Sequence, residues 1–323
     1  MRNELKVLGF SLNQRAEITK GKKFGLTREQ INLYAKPEFN WQQMEKIRQG
    51  LEQGLSREQI LVYADSKFDS KQMEVIRLSF ESGLTYNNIK IYARPDVFDG
   101  NQMYEIFKGF DEMLSTEQVM LYAKPEYDFL QMEAIRLGIK SGLSKEQIEF
   151  YAQPEVFNGE QMLEIYEGFK SKLNLEKIKF YANPEYHGEK MKELREGFKA
   201  GLDWDQIRLC ASIKTDFLQI QEIRKGFEEN LSWEQVALYA NTNFSYAQMN
   251  LIRTLLKTLS TEQVRTFAKT DYNYLQMLEF VKGFEQGLTF EQVKEYANPK
   301  YSYIDMKLRR KMIFAEKKLS NNT

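Results

Sequence analysis

Residues 26–54 read LTREQINLYAKPEFNWQQMEKIRQGLEQG, and residues 55–83 repeat the pattern as LSREQILVYADSKFDSKQMEVIRLSFESG. The clearest marker of the pattern is an aromatic residue followed by alanine, which recurs every 28 to 30 residues. Cysteine replaces the aromatic residue once, and the ten copies are Tyr34-Ala35, Tyr63-Ala64, Tyr92-Ala93, Tyr122-Ala123, Tyr151-Ala152, Tyr181-Ala182, Cys210-Ala211, Tyr239-Ala240, Phe267-Ala268 and Tyr296-Ala297. Self-similarity at a fixed period of this length is typical of repeat proteins. The sequence therefore predicts ten tandem repeats.

Each repeat begins with the start signals of a helix. In the first copy Thr27 is a strong N-cap residue, and Gln30 stands three residues later, at the spacing of a capping box. Leu26 and Ile31 hold the positions of a hydrophobic staple, which fixes the angle at which the chain enters a helix. Proline ends a helix, and all six prolines fall at one repeat position: Pro37, Pro95, Pro125, Pro154, Pro184 and Pro299. The first helix is therefore predicted over residues 28–35.

The second half of each repeat carries its own helix signals. Asn40 is the predicted N-cap, with Gln43 three residues later, and Gly54 has the position of the glycine that follows a helix. The second helix is predicted over residues 41–53. The same N-cap position holds a strong capping residue in nine copies and a histidine, His187, in the sixth. We interpret His187 as an exposed loop residue without a catalytic role.

These short helices determine the predicted fold class. A helix of eight residues is not stable alone in water, because nucleation is costly, so each hairpin must pack against its neighbours. The chain is therefore predicted to be all-α, an α-solenoid of about ten αα-hairpin repeats with N- and C-terminal capping helices. The predicted divisions are an N-terminal cap over residues 1–24, a single solenoid domain over 25–304, and a basic C-terminal helix and tail over 305–323. Within the N-terminal cap a helix is expected around residues 5–16.

Several repeat positions are predicted to build the core. Nine of the thirteen methionines share one position, and we interpret them as buried staple residues rather than a flexible binding surface. A glycine inside the second helix recurs as Gly50 and Gly109 among others, which suggests close helix approach. The recurring arginines Arg48, Arg77, Arg136, Arg195, Arg224, Arg253 and Arg310 are expected to form a ladder of ion pairs with Glu29, Glu58, Glu117, Glu146, Glu234, Glu262 and Glu291.

Irregular spacings predict where the repeat tolerates change. One extra residue lies between the two helices in residues 95–100 and again in residues 154–159. Loops accept insertions at little cost, so we place both insertions in loops. The single deletion falls in residues 254–258, at the end of a second helix, where we expect a local change in superhelix geometry.

The composition argues against several classes of protein. The 323 residues include 46 basic and 46 acidic ones, so the net charge of zero gives no basis for nonspecific nucleic-acid binding. A single cysteine, Cys210, and a single histidine, His187, exclude an internal disulfide and a zinc centre of several cysteines or histidines. Cys210 is expected to be a buried small hydrophobe. We find no signal peptide, membrane-spanning segment or glycine-rich phosphate loop, and we expect a cytoplasmic protein that is not an enzyme and binds no cofactor or metal.

The repeat resembles the units of largely uncharacterised proteins from low-GC Gram-positive bacteria, their mobile elements and their phages. Those units read QM-x-x-IR-x-G-[LF]-E-x-GL-[ST]-x-EQ-[IV]-x-x-YA, and the resemblance covers residues 25–315. Tetratricopeptide-like solenoids are more loosely similar, because their unit is longer and has a different signature. The resemblance implies a helical scaffold and, through relatives associated with anti-restriction genes, an anti-defence role. Asn88, Lys177 and Cys210 depart from the pattern.

Candidate binding residues are large aromatics at the first position of a helix. Other copies carry Arg, Lys, Ser or Gly at these positions, so the aromatic side chains are expected to face solvent. They concentrate in repeats seven to ten, and the predicted partner-binding residues are Trp204, Phe217, Trp233, Tyr246, Tyr274, Phe290 and Tyr303. The alternative is that these rings shield grooves between repeats.

Two classes of function remain open at this point. The first is a non-catalytic scaffold that binds another protein or protein complex and inhibits a bacterial defence complex. The second is a nucleic-acid-associated regulator that uses its ends, since residues 1–23 and 305–323 each carry a net charge of +4. A salt titration separates the two, because phosphate contacts give a steep dependence of affinity on salt.

Overall fold

The computed structural model describes residues 9–213 and 216–320, and every regular element in these ranges is a helix. The chain forms two compact units, Met1–Lys172 and Leu173–Thr323. The helices of the first unit are α1 (Leu12–Phe24), α2 (Arg28–Tyr34), α3 (Trp41–Glu52), α4 (Arg57–Tyr63), α5 (Ser70–Glu81), α6 (Tyr86–Tyr92), α7 (Gly100–Asp111), α8 (Thr116–Val119), α9 (Phe129–Lys140), α10 (Lys145–Tyr151) and α11 (Gly159–Lys170). Those of the second unit are α12 (Leu175–Tyr181), α13 (Gly188–Lys199), α14 (Trp204–Ser212), α15 (Phe217–Glu228), α16 (Trp233–Ala237), α17 (Tyr246–Leu255), α18 (Thr261–Phe267), α19 (Tyr274–Glu285), α20 (Phe290–Tyr296) and α21 (Tyr303–Ser320).

The predicted helix signals are present as hydrogen bonds. Thr27 and Gln30 form the expected capping box of α2, and Asn40 and Gln43 form that of α3. Gly54 has φ +85°, and the amide of the following leucine donates to the carbonyl of Gly50. This pattern is the Schellman motif, which satisfies carbonyls at the end of a helix. The predicted hairpin is therefore confirmed, with both helices one residue shorter than expected.

The hairpins of each unit pack in chain order, which confirms the predicted α-solenoid fold class. Within a unit each second helix packs against the second helix of the next repeat. Each first helix packs against a second helix next to it in the chain. The nine methionines of the shared position are all buried, which confirms their core role: Met44, Met73, Met103, Met132, Met162, Met191, Met249, Met277 and Met306.

The recurring glycine makes room for a tyrosine rather than for a helix backbone. A Cβ added to Gly109 would overlap the hydroxyl of Tyr122, which belongs to the next repeat. That hydroxyl donates to the backbone carbonyl of Glu105 at 3.3 Å. The expectation of close helix approach is thus corrected, because the space left by the glycine is filled by a side chain. The same overlap joins Gly21 to Tyr34, Gly50 to Tyr63, Gly138 to Tyr151, Gly226 to Tyr239 and Gly283 to Tyr296.

A glutamine in the first turn of most second helices also links consecutive repeats. Gln72 accepts a hydrogen bond from the N-cap amide of its own helix through Oε1, at 2.8 Å. Its Nε2 donates to the carbonyls of Pro95 and Phe98 in the next loop, at 3.1 and 2.7 Å. One buried amide group therefore satisfies the start of a helix and the loop of the following repeat. Further examples of this contact are Gln14, Gln43, Gln102, Gln131, Gln219 and Gln276.

The prediction of which glutamates pair with the ladder arginines is wrong. Arg136 donates from Nε to Glu105 Oε2 at 3.0 Å, and Glu105 lies on the second helix of the preceding repeat, 31 residues earlier. The same separation joins Arg48 to Glu17, Arg224 to Glu193, Arg253 to Glu222 and Arg310 to Glu279. The carboxylates expected as partners are exposed at the starts of first helices: Glu29, Glu58, Glu117, Glu146, Glu234, Glu262 and Glu291. These glutamates lie in the first turns of their helices, whereas Arg48, Arg136, Arg224, Arg253 and Arg310 bind glutamates of second helices.

The two insertions lie in loops, as predicted, and the change in superhelix geometry expected at the deletion stays a prediction. The two insertions lie in the loops before α7 and α11, where Val97 and Val156 are exposed. The deletion shortens α17, which ends at Leu255 after 10 residues, two fewer than α15. These changes leave the helix starts intact, because Asp99, Asn158 and Ser245 still form the capping boxes of α7, α11 and α17.

The two terminal helices differ from interior second helices in opposite ways. In α1 the residues that contact the next repeat, Gln14, Ile18 and Gly21, are the same types as in interior second helices. This helix begins at Leu12, because Ser11 and Gln14 form a capping box. The helix expected around residues 5–16 therefore starts later in the described chain, and residues 1–8 lie outside the described residues. In α21 the buried Met306 and Arg310 reach back to the preceding repeat.

Candidate functional site

The seven aromatic residues singled out by the sequence lie in two sets within the second unit. Each residue begins its helix, directly after the N-cap. Trp204, Trp233 and Phe290 start the first helices α14, α16 and α20. The remaining four start the consecutive second helices α15, α17, α19 and α21: Phe217, Tyr246, Tyr274 and Tyr303. The sequence grouped the seven together, and the structure distributes them between the two kinds of helix.

The four aromatics of the second helices form an exposed row, which we call the aromatic edge (Phe217, Tyr246, Tyr274 and Tyr303). Between 39% and 47% of each residue is exposed to solvent. Successive second helices of the unit pack side by side, so their first turns follow one another along one border of the helix layer. Leu275 and Ile304, one position further along two of these helices, are also exposed. The edge therefore presents apolar surface from four consecutive repeats.

Trp204 lies instead in a groove between repeats. Its ring is 5.6 Å from the ring of Phe180 and 5.0 Å from that of Phe198, and the residue is half-buried. The expectation that Trp204 faces solvent is thus only partly met, because two aromatic residues of the preceding repeat cover it. Trp204 borders an open cavity of about 430 Å³, which is also lined by Glu176, Lys179, Phe180 and Arg208.

The other two first-helix aromatics also touch the preceding repeat. Trp233 is 44% exposed and lies 5.1 Å from the ring of Phe227. Phe290 is half-buried, with its ring 5.5 Å from that of Phe267. These contacts match the alternative interpretation, in which the rings shield grooves. Of the seven candidate residues, the four of the aromatic edge make no ring contact with another aromatic residue in the part of the chain that the structure describes.

The first unit carries the same positions with fewer aromatics. Trp41 and Phe129 begin α3 and α9 and are each 39% exposed, but serine or glycine begins the other second helices of hairpins in that unit. Tyr86, the counterpart of Trp204, borders a cavity of about 480 Å³ with Leu61 and Phe80. The distinguishing feature of the second unit is therefore an uninterrupted run of exposed rings.

The sixth repeat replaces the glutamine link by a lysine, a change that the sequence reading did not use. Lys190 Nζ donates to the carbonyls of Ala211 and Ile213 at 2.7 and 2.8 Å and lies 4.1 Å from the ring centre of Tyr186. Burial lowers the pKa of this lysine. His187 is exposed and makes no side-chain cap bond, as expected for a structural loop residue. Lys190 thus preserves the contact between repeats with a different donor.

The single cysteine and the most buried carboxylates of the described chain have structural surroundings. Cys210 is buried, and burial raises the pKa of its thiol to about 12, which disfavours the reactive thiolate. The most buried carboxylates, such as Glu105 and Glu279, are ion-pair partners of ladder arginines. Within residues 9–213 and 216–320 we find no group of three metal-ligating side chains. In the same ranges no helix is both long enough and apolar enough to cross a membrane.

No protein-family model matches the chain, and no curated protein matches it.

Proposed function

We propose that the protein is a non-catalytic scaffold that binds another protein through its second unit. The observation that supports this proposal is the aromatic edge, because exposed clusters of large apolar side chains are typical of interaction sites. Tyrosine and tryptophan are enriched among the residues that dominate binding energy, since they combine a large apolar surface with a polar group. Three of the four edge residues are tyrosines.

The dimensions of the edge suit a macromolecular partner. Packed helices lie roughly 8–10 Å apart, so four consecutive helices place the outer rings about 25–30 Å from each other. A standard protein interface covers a patch of comparable width, about 800 Å² on each partner. A small molecule could contact only one or two of these rings at a time. The whole edge is therefore best used by a protein surface or an extended polypeptide.

Catalysis is not part of the proposal. General acid–base chemistry requires a side chain with a suitable pKa within reach of a bound substrate. The buried carboxylates instead contact arginines, and the single histidine is exposed beside the start of a helix. The contacts of these carboxylates and the exposure of the histidine therefore support a binding role rather than a catalytic one.

The partner class in the proposal comes from the sequence resemblance to proteins of mobile elements and phages. On this basis a bacterial defence complex is the first partner to test, and we expect that binding inhibits this complex. The site of action in this proposal is the cytoplasm, where such complexes act.

The test uses the tagged full-length protein as bait in a lysate of its host. Besides the wild type, one bait carries F217A, Y246A, Y274A and Y303A, and a matched control carries W41A and F129A at the same repeat position of the first unit. We expect the wild type and the control to retain one protein partner and the edge variant to lose it. Equal capture by all three baits contradicts the proposal. Capture that disappears after nuclease treatment would instead favour the nucleic-acid alternative.

A further inference from the structure

The last helix carries an exposed apolar stripe. Ile304, Leu308, Met312 and Leu319 are 53%, 55%, 63% and 70% exposed. Their spacing of four, four and seven residues places them on one face of α21, and exposed Ala315 lies on the same face. The opposite face is anchored by the buried Met306. The stripe is therefore held on a packed helix and does not arise from a frayed end.

This face differs from the face that other second helices offer to the next repeat. Asp305 stands where the linking glutamine would be, Arg309 where α3 has the buried Ile47, and Met312 where the tyrosine-accommodating glycine would be. A methionine at the glycine position blocks the tyrosine hydroxyl of a following repeat. Another hairpin of this type therefore does not fit on α21.

The order of residues along the stripe is that of a short coiled coil. Leu308, Met312, Ala315 and Leu319 follow one another at steps of four, three and four, which is the spacing of successive d, a, d and a positions. In that register Lys311 takes a g position and Glu316 the following e position. In parallel coiled coils these two positions face each other between chains.

The charge pattern across the helix distinguishes between orientations. Lys307, Lys311 and Lys318 lie along one border of the stripe, whereas the other border carries Asp305, Arg309 and Glu316 and has a net charge of −1. Two parallel copies bring the lysine border of each against the acidic border of the other. Two antiparallel copies bring like borders together. The pattern therefore favours a parallel pair.

We propose that the occupant of the stripe is the same stripe of a second copy, in a parallel two-fold dimer through α21. Lys311 of each chain pairs with Glu316 of the other, around layers of Leu308, Met312, Ala315 and Leu319. Two hydrogen bonds hold α21 against the preceding repeat and leave the stripe outward: Arg310 Nε donates to Glu279 at 2.8 Å, and Lys317 donates to the carbonyl of Gly287. Such a dimer presents two copies of the aromatic edge.

Contact with the opposite end of another copy is a poorer match. The backward face of α1 carries Arg15 and Lys22 at the positions where interior helices have the buried Met44 and Leu51. Docking that face on α21 would place these positive charges near the lysines that border the stripe. The like charges disfavour a head-to-tail filament and leave the two-fold contact as the consistent arrangement.

Cysteine cross-linking of the full-length protein tests both the contact and its orientation. We expect L308C and L319C each to form, on oxidation, a disulfide-linked species of twice the 38.2 kDa chain mass, because a parallel pair places each residue against its own copy. The wild type keeps its buried Cys210 and should not cross-link. M113C, in a fully exposed position of the first unit, controls for random collision. Cross-linking only when L308C and L319C are mixed would overturn the parallel arrangement.

Charge reversal and mass measurement complete the test. Four layers make a small interface, so we expect the wild type to dimerise with a dissociation constant of roughly micromolar size in sedimentation equilibrium. K311E and E316K should each weaken the dimer at least about threefold, and the double variant should restore it, because the pair is then reversed. L308D, at an exposed position, should abolish the dimer without loss of helicity. A wild-type mass of 38.2 kDa up to about 1 mM would overturn the proposal.

Discussion

The hydroxyl of Tyr122 occupies the space beside Gly109 that a side chain at that position would fill. The two residues belong to consecutive repeats, so the contact makes one repeat incomplete without the next. Glycine inside a helix costs about 1 kcal/mol relative to alanine. Its presence is explained by the tyrosine that it admits and by the hydrogen bond of that tyrosine to Glu105.

Replacing Gly109 by alanine should lower the free energy of unfolding by about 2 kcal/mol, because the new methyl group overpacks the boundary. Adding Y122F removes the oxygen nearest to that methyl group and should recover part of the loss. Urea unfolding monitored by circular dichroism measures both effects. The control is G197A, which faces the flexible methyl group of Ile207 and should be close to neutral. Equal losses in G109A and G197A would contradict this explanation.

The helices could be predicted from the sequence because their signals are local. Thr27 with Gln30, Asn40 with Gln43, and Gly54 each act within a few residues, so spacing alone identifies them. The arginine partners could not be assigned in this way, since Glu105 and Arg136 are 31 residues apart and meet only after two repeats pack.

A signal for these pairs was nevertheless present in the repeats. Where the glutamate position holds Val75 or Ala134, the arginine position of the next repeat holds Phe107 or Tyr166. The two positions change together in these repeats, as contacting residues do, whereas Arg77 is kept although Lys46 holds the glutamate position before it. Similarly, the exposure of the aromatic edge could be predicted, because other repeats carry serine or glycine at the same position. The partial burial of Trp204 could not be predicted, because it depends on Phe180 and Phe198 across the repeat boundary.

Removing one member of a ladder pair should cost more than removing both. R136M leaves the buried carboxylate of Glu105 without this arginine and should lower the unfolding free energy by about 3–5 kcal/mol. E105L combined with R136M should lose less, because no uncompensated charge then remains at that position. Equilibrium unfolding of the single and double variants measures the difference. A double variant less stable than R136M would refute this interpretation.

Replacing Met113 by glycine should stabilise the first unit. Met113 has φ +66° at the position where other repeats have glycine, and its side chain is 90% exposed. A left-handed conformation costs a residue with a Cβ about 1 kcal/mol, so M113G should raise the melting temperature by about 2 °C. M113A removes the exposed side chain but keeps the Cβ, and it should give no such rise. A gain from M113A equal to that from M113G would assign the effect to the side chain instead.

Alkaline pH should unfold the protein cooperatively. Burial raises the pKa of the core tyrosines above the usual value, and these residues are Tyr34, Tyr63, Tyr92, Tyr122, Tyr151, Tyr239 and Tyr296. The folded state therefore retains protons that the unfolded state releases near pH 10, so stability present below pH 10 is lost as the pH rises further. We expect tyrosinate absorbance and loss of helicity to change together. Full ionisation of these tyrosines with helicity intact would exclude their burial.

Hydrogen exchange of G109A measures the dependence of one repeat on the next most directly. If short hairpins are held by their neighbours, exchange should accelerate on both sides of the altered boundary, in α7 and in the following segment from α8 to Tyr122. Exchange in the distant helix α19 of the other unit should remain that of the wild type. Acceleration confined to α7, with α8 and Tyr122 as protected as in the wild type, would contradict the account.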